Sequence, residues 1–426
     1  MMTLRLTDYE KQMLNGAEGR LKQKAMEVIV RYANVMNAEE LCTVSKAHLH
    51  CGYHSYLKAV KSANVDTIMS EMFFCSDETL PLQEVCCDCF ADVGPMCPDN
   101  WPELGAIPED NQLNQKFLER CLDAGVKLYG TCIPYMVGFI PLMGEHYVTS
   151  ESHVVLVANS LWAACGNSDG LETGFCSAVC GRTPLWGNHI MENRGGTHLI
   201  KLNNVSGETL SVYDWDVLGY TIGRKLVPHT NPVLDGEFAR PDIYKLKAFF
   251  ASLATTSGPE ICHITGITPE AITVEQAFKG RKPLDVIEID QRDLNETRQL
   301  FSHDGCVDYV SLGCPHYSLE EIRQAAALLE GKRVSQNVRL HIWTAYAFKA
   351  VADRSGYTDI IEKAGGKLMT GSCPASVESL PAGLDRVAFD STKMAHDYLS
   401  MPHTAVYHGS AEQCIRAAIS GRWEGL

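Results

Sequence analysis

The sequence predicts an α/β protein built on parallel sheets. Short apolar runs of strand length alternate with helix patterns along most of the chain, as they do in β–α–β units. The final third shows this most clearly, because strand patterns at 310–312, 339–343 and 367–369 are separated by helix patterns at 318–330 and 345–354. A length of 426 residues, of which 45% are hydrophobic, allows two or three such units with large cores.

The composition excludes several functional classes. A net charge of −15 argues against a nucleic-acid-binding surface. The N-terminal stretch 1–20 is charged rather than signal-like, and no run approaches the roughly 18 apolar residues of a membrane helix. We therefore expect a cytoplasmic protein without a membrane or nucleic-acid partner. Its 17 cysteines should be reduced thiols, some of which could bind metal.

The first 55 residues predict a helix followed by a histidine-bearing strand. Residues 4–41 show a helical repeat that Gly16 and Gly19 interrupt. Residues 46–55 alternate apolar and polar side chains, as a strand does. This run carries three histidines and a cysteine: His48, His50, Cys51 and His54. Their spacing fits no closed zinc pattern, so both a metal site and a polar active-site wall stay open.

A cysteine-rich loop follows the next predicted strand, at 66–75. The loop contains Cys86, Cys87, Cys89 and Cys97. Cys86 and Cys89 have the C-x₂-C spacing of a zinc knuckle, but no second pair follows at the usual distance. A loop that is rich in cysteine without a metal is the favoured interpretation, and a structural zinc site is the alternative.

The pattern of alternating elements continues through the middle of the chain. The expected elements are a helix at 111–125, strands at 126–130 and 154–160, helices at 171–180 and 242–254, a strand at 262–266 and a helix starting at Thr268. Pro269 at the first turn supports the last of these helices, because proline is favoured at that position.

Three cysteines follow predicted strands, each close to a proline. They are Cys132, Cys314 and Cys373. Because the carboxyl ends of parallel strands meet at one crevice, we expect the three thiols to converge there. Three thiolates could hold an iron–sulfur cluster and leave one iron open as a Lewis acid. Their spacing matches no compact ferredoxin motif, so buried structural cysteines are the alternative.

The segment around Cys314 predicts a sharp turn between a strand and a helix. Gly313 frees the backbone and Pro315 restricts it. Ser318, with Glu321 three residues later, predicts a capping box at the start of the following helix. A thiol that faces a helix N-terminus is well placed to ionise.

Several ordered motifs resemble the catalytic, large part of the aconitase X family of hydro-lyases, from about Ser45 to the C-terminus. They are Thr131–Tyr135, Gly144–His146, Ala158–Ser160, Gly181–Pro184, His263–Glu270, Gly313–His316, Ser372–Pro374 and Ser391–His396. The resemblance implies an aconitase-like α/β fold for the whole of 1–426, with several parallel or mixed α/β/α subdomains around a central cleft. The approximate subdomains are 1–200, 201–300 and 301–426.

The resemblance also implies the site residues. Cys132, Cys314 and Cys373 would ligate iron, as a 2Fe-2S or 4Fe-4S cluster or as a mononuclear centre. Three histidines are candidates for proton transfer or for bonding the leaving oxygen: His50, His146 and His316. Ser160, Arg182 and Lys393 are candidates for binding the substrate. His316, beside Cys314, could equally tune the cluster.

The implied activity is removal of water from a small hydroxy acid, most simply cis-3-hydroxy-L-proline. The loop 164–170 lacks the arginines that the family carries there, which weighs against a phosphorylated substrate. A phosphomevalonate dehydratase large subunit and a non-catalytic metal-binding relative are the alternatives. The family's small swivelling domain, which carries a catalytic serine, has no counterpart after Ala417, so we expect it as a separate small subunit.

Overall fold

The computed structural model describes residues 4–203, 205, 210–376, 383–401 and 405–425, and it confirms the α/β class. Within these ranges there are five sheets. Three of them are wholly parallel and form the body of the protein. The other two are short antiparallel pairs. Each parallel sheet belongs to a different stretch of the chain, named below as the first, middle and last regions.

The first region, residues 4–194, packs helices around a three-stranded parallel sheet. Its helices are α1 (Asp8–Leu14), α2 (Arg20–Val35), α3 (Val65–Phe74), α4 (Pro108–Asp123), α5 (Ser152–Trp162) and α6 (Leu171–Cys180). Its strands are β1 (Leu41–Thr43), β2 (Lys46–Leu49), β3 (Asp88–Ala91), β4 (Tyr147–Thr149) and β5 (Arg182–Pro184). Strand β2 lies between β3 and β4, and β1 pairs with β5. The predicted N-terminal helix is present as α1 and α2, which are separated at Gly16 and Gly19.

Two strands predicted in this region are helices. Residues 66–75 form α3, which Asn64 caps by accepting a hydrogen bond from the Asp66 amide. Residues 154–160 lie within α5, where every side chain from His153 to Ser160 is buried. A helix that is buried on all sides shows a continuous apolar run, and periodicity cannot distinguish such a run from a buried strand. The predicted strand 126–130 is reduced to one bridge between Lys127 and Phe90.

The middle region, residues 195–303, has a four-stranded parallel sheet. Its strands are β6 (His198–Leu202), β7 (Pro232–Asp235), β8 (His263–Ile264) and β9 (Asp285–Ile289), in the order β8–β7–β6–β9. Its helices are α7 (Val212–Lys225), α8 (Ile243–Ser257), α9 (Val274–Ala277) and α10 (Gln291–Gln299). Helices α7 and α8 approach closely at Gly219, where an added Cβ would collide with the Phe249 carbonyl.

The predicted helix start at Thr268 is wrong. The Thr268 hydroxyl accepts a hydrogen bond from the Ile264 amide at 3.0 Å, and the Thr268 amide donates to the Ile264 carbonyl at 3.0 Å. These two bonds close a turn between Ile264 and Thr268, and the chain continues in turns rather than as a helix. Helix α9 begins six residues later, at Val274, where Thr273 supplies the cap.

The last region, residues 304–425, is built on a five-stranded parallel sheet with the order β13–β12–β11–β14–β15. Its strands are β10 (Gly305–Cys306), β11 (Tyr309–Tyr317), β12 (Arg339–Thr344), β13 (Gly366–Thr370), β14 (Arg386–Phe389), β15 (Ala405–His408) and β16 (Arg422–Trp423). Its helices are α11 (Leu319–Leu329), α12 (Tyr346–Ser355), α13 (Tyr357–Ala364), α14 (Thr392–Leu399) and α15 (Ala411–Ser420). The capping box of Ser318 and Glu321 is confirmed. The turn predicted at Cys314 is an irregular stretch of β11, between Leu312 and Tyr317.

A buried lysine holds the middle region against β11. The Nζ atom of Lys247 lies 2.8 Å from both carboxylate oxygens of Glu321 and 2.8 Å from the His316 carbonyl. Its side chain is only 3% exposed, so the charge is stable there because the carboxylate and carbonyl groups replace water. This contact fixes the end of β11, where the candidate site begins.

The structure pairs none of the 17 cysteines in a disulfide, and all of them lie among the described residues. In the cysteine-rich loop, Cys86 donates to the Val179 carbonyl at 2.9 Å, and Cys89 lies inside β3. Cys97 packs in a small apolar cluster with Trp343 and Met369. These separate positions leave the described part of the loop without three convergent metal ligands.

Candidate active site

Cys132, Cys314 and Cys373 lie together where elements of the first and last regions meet. The His316 amide donates to the Cys132 sulfur at 3.4 Å, which ties the loop after residue 130 to β11. Burial raises the pKa of the Cys132 thiol well above its usual value, and its neighbours, including the other two cysteines, raise it further. Cys132 and Cys373 are buried and Cys314 is half-buried. The structure therefore brings the three predicted thiols into one site.

The donor set of the site is suited to iron. Three cysteine thiolates are the usual protein ligands of iron–sulfur clusters. Cys132 interacts electrostatically with both Cys314 and Cys373, so the three thiols are close enough to serve one centre.

An ion pair between Glu151 and Lys393 lies beside these thiols. The Lys393 ammonium is 3.2 Å from a Glu151 carboxylate oxygen, and both side chains are less than one-fifth exposed. Burial by itself would raise the pKa of Glu151, but Lys393 and His153 lower it well below its usual value. Burial by itself would lower the pKa of Lys393, but Glu151 and the thiols raise it. Both groups are therefore charged at neutral pH.

His153 extends this pair. Its Nδ1 lies 2.7 Å from Glu151 Oε1, while its buried Nε2 has no hydrogen-bond partner among the described residues. Burial lowers the pKa of His153, so the ring is neutral. If Nδ1 donates its proton to Glu151, Nε2 presents a free lone pair. The Glu151–His153 pair thus resembles a base with its orienting carboxylate.

His316 is fixed by its neighbours rather than free to exchange protons. Its Nδ1 lies 3.0 Å from the Thr131 hydroxyl, and its Nε2 lies 2.9 Å from the Ser372 carbonyl. Burial lowers its pKa to about 4, so the ring is neutral. Both nitrogens are occupied, and the backbone amide of the same residue contacts Cys132. These contacts suit a group that positions Cys132 better than a group that transfers a proton.

The histidines after residue 46 line another side of the site. His48 Nε2 lies 3.0 Å from the Thr131 carbonyl and 3.5 Å from a carboxylate oxygen of Asp92. His50 and His54 face each other with their Nε2 atoms 2.6 Å apart. Burial, together with the neighbouring His54, lowers the pKa of His50 to about 3. The polar-wall interpretation of this strand thus has a geometric basis.

Three predicted site residues have hydrogen-bond or ion-pair partners other than the three thiols. The Arg182 guanidinium pairs with Glu10 of α1 at 2.9 Å. The Ser160 hydroxyl, in α5, accepts a hydrogen bond from the Cys262 amide at 3.0 Å. His146 precedes β4, with its Nδ1 3.1 Å from that of His189. These contacts show where the three side chains lie in the structure, and their roles in binding substrate or transferring a proton stay predictions.

The sequence reasoning missed Asp92, Glu151 and His153. Asp92 comes directly after β3, and Glu151 is the second residue after β4. A polar residue directly after a buried parallel strand is a signal for a crevice residue. For Glu151 this signal could not be recognised in the sequence. Strand β4 has only three residues, and such a short pattern cannot be distinguished from a loop.

Substitution of Gly313 by alanine is expected to displace Cys314. Gly313 has φ +98°, and an added Cβ would lie 2.5 Å from the Trp343 carbonyl oxygen. The positive φ alone costs roughly 1–3 kcal/mol for a residue with a side chain. Gly331→Ala is the matched control, because Gly331 also has a positive φ, +69°, but open space around it. In urea unfolding, Gly313→Ala should lower the free energy of unfolding more than Gly331→Ala does. Equal decreases in the two variants would contradict the steric explanation.

The chain matches known proteins over most of its length. Models of the first, second and third domains of aconitase X match residues 3–192, 196–299 and 307–420. A phosphomevalonate dehydratase large subunit from Methanocaldococcus jannaschii is 30% identical over 420 residues, covering 96% of this chain and 99% of the relative. A cis-3-hydroxy-L-proline dehydratase from Pseudomonas aeruginosa is 29% identical over 423 residues, covering 98% and 70%.

A solved structure shows the same fold. The crystal structure of Thermococcus kodakaraensis aconitase X in its holo-form aligns with a TM-score of 0.81 at 27% identity, covering 97% of this chain and all of the other. In the ranges that the structure describes, no helix is long and apolar enough to cross a membrane. The named relatives are dehydratases, which are hydro-lyases. The chain belongs to the aconitase X family and is an enzyme of the hydro-lyase class.

Proposed function

We propose that this chain is the large subunit of a dehydratase that removes water from a small hydroxy acid. The observation that carries the proposal is the buried Glu151–Lys393 ion pair beside three convergent cysteines. Dehydration needs a cation to hold the acid, a base for the proton and assistance for the departing hydroxyl. The site offers residues for each of these tasks.

We assign Cys132, Cys314 and Cys373 to an iron–sulfur cluster, which when bound supplies a Lewis acid for the substrate hydroxyl. His316 positions Cys132 through its backbone N–H, and its ring is anchored on Thr131 and Ser372. A hydrogen bond of this kind to a cluster sulfur orients the ligand and tunes the centre.

The charged residues bind and orient the substrate in this proposal. The Lys393 ammonium binds the substrate carboxylate, and Glu151 holds that ammonium in place. The lone pair of His153 Nε2 accepts a proton, while Glu151 orients the ring from the other side. A small subunit completes the site and supplies the serine that the family resemblance implies. Relatives of nearly the same length are named large subunits, which supports such a partner.

We favour cis-3-hydroxy-L-proline as the substrate. Among the described side chains, Lys393 is the cation that interacts with the thiols, and Glu151 already pairs with it, so the residues around the thiols do not form a group of several free cations. Such a site tolerates a secondary ammonium, whereas a phosphate favours several basic residues. Arg182, the other predicted cation, pairs with Glu10 instead.

Phosphomevalonate is the second candidate. Its support is a different observation: the relatives that match this chain over nearly their full length are phosphomevalonate dehydratase large subunits. The two substrates can be separated by assaying the chain with its small subunit on each compound under anaerobic conditions. Turnover of cis-3-hydroxy-L-proline alone supports our preference, and turnover of phosphomevalonate alone overturns it.

Loss of iron on replacing Cys314 is the direct test of the cluster. The wild-type complex, purified anaerobically, should be coloured and contain iron and sulfide. Cys314→Ala should lose most of that iron and its dehydratase activity, because the remaining two thiolates cannot hold the cluster. Cys262→Ala is the control, since Cys262 is also buried but lies outside the thiol group. A colourless wild-type complex, or full iron content in Cys314→Ala, would contradict the assignment.

A further inference from the structure

A second cluster of metal-binding side chains lies in the first region, away from the three-cysteine site. Cys42 belongs to β1, His146 directly precedes β4, and His189 ends a short 3₁₀ turn at Gly187–His189. Three segments that are far apart in sequence thus bring one thiol and two imidazoles together. We propose that Cys42, His146 and His189 bind a zinc ion at a site separate from the proposed cluster.

The distances suit tetrahedral zinc. One ligand atom from each residue lies within 4.8 Å of the others, and this is the only such trio in the described part of the chain. The two Nδ1 atoms are 3.1 Å apart. Bonds of about 2.0–2.1 Å to nitrogen and 2.3 Å to sulfur place tetrahedral ligands about 3.3–3.6 Å apart. The imidazoles already have nearly this spacing, so zinc could enter with small side-chain movements.

The surroundings supply the outer contacts that zinc ligands usually have. A ligating histidine commonly donates its other ring N–H to a backbone carbonyl. The Nε2 atom of His189 is buried and has no hydrogen-bond partner among the described residues, and the ring lies close to the backbone of Cys165. If His189 bound zinc through Nδ1, its Nε2–H would need an acceptor, and the Cys165 carbonyl is the backbone group that neighbours the ring.

The position of the trio separates it from the proposed cluster. β1 pairs with β5 through Cys42 and Thr183, and His146 lies at the amino end of β4. Glu151, which faces the three-cysteine site, follows the carboxyl end of the same strand. Five residues of nearly extended chain span roughly 16 Å, so one metal cannot serve both sites. Zinc here would fasten the N-terminal strand to the body of the first region.

Zinc content and location test the proposal on the full-length chain. After exposure to zinc chloride and removal of the excess, the wild type should retain about one zinc ion per chain by mass spectrometry. Anomalous diffraction at the zinc edge should place that ion between Cys42, His146 and His189. Wild-type protein without zinc, or an anomalous peak elsewhere, would overturn the proposal, and neither readout depends on variants that fold.

Variants then assign the ligands. Cys42→Ala and His189→Ala should each lose the bound zinc. Cys87→Ala and His198→Ala should keep it, because Cys87 is equally half-buried and the His198 ring lies in β6 with its Nδ1 3.0 Å from the Thr197 hydroxyl. Cys314→Ala should lose iron and keep zinc, which distinguishes this site from the proposed cluster. Zinc retained by both the Cys42 and His189 variants would refute the assignment.

Discussion

Replacing Lys393 with methionine is expected to lower kcat by about 10²–10³-fold, which is the range for removing one preorganised charge-stabilising group from an active site. Lys393 lies 3.2 Å from Glu151, and both charges are largely buried. The loss of its ammonium removes the cation that we assign to the substrate carboxylate. The measurement is anaerobic steady-state kinetics with the small subunit, with the iron content determined in parallel.

The stability of the same variant helps to separate the proposed role from simple unfolding. Removing one partner leaves Glu151 buried and uncompensated, at a cost of roughly 3–5 kcal/mol in the free energy of unfolding. Adding Glu151→Gln should recover much of that stability but not the activity. Lys225→Met is the matched control, because Lys225 pairs with Asp293 at the surface, where such pairs contribute about 1 kcal/mol or less. Wild-type turnover by Lys393→Met would remove Lys393 from the proposed mechanism.

The three thiols could be selected from the sequence because their signal is local. Each of Cys132, Cys314 and Cys373 follows an apolar run and stands next to or near a proline. Their convergence has a different cause from the predicted one, because Cys314 lies inside β11 and the His316 amide joins it to Cys132 of another region. Ser318 and Glu321 form their predicted capping box, because a capping box depends only on residues three positions apart.

Tertiary packing explains what the sequence did not predict. Helix α5 appears as a strand in the sequence because every side chain from His153 to Ser160 is buried. Arg182 pairs with Glu10, which is 172 positions away in the chain. The Glu151–Lys393 pair spans 242 positions. Long-range pairs of this kind depend on how the regions pack, and a single sequence contains no direct signal for that packing.

The packing of the first and middle regions depends on a buried guanidinium. Arg194 is fully buried, and its Nε and Nη2 atoms lie 3.0 and 2.5 Å from Glu270 Oε2. The same group donates to three carbonyls of the first region: Ala164 at 2.9 Å, Asn188 at 3.2 Å and Asn159 at 3.0 Å. One side chain therefore satisfies acceptors from both regions at their junction.

Arg194→Met is expected to lower the free energy of unfolding by roughly 3–5 kcal/mol, because it leaves the buried Glu270 carboxylate with only the more distant Lys279 ammonium, at 3.9 Å. The three carbonyls lose their donor as well, which adds to the cost. Urea denaturation measures the change, and Arg224→Met, at an exposed position, provides the control. The double variant Arg194→Met/Glu270→Leu should be more stable than Arg194→Met, since no unpaired charge remains. If Arg194→Met cost less than about 1 kcal/mol, as a surface pair would, the junction would not depend on this guanidinium.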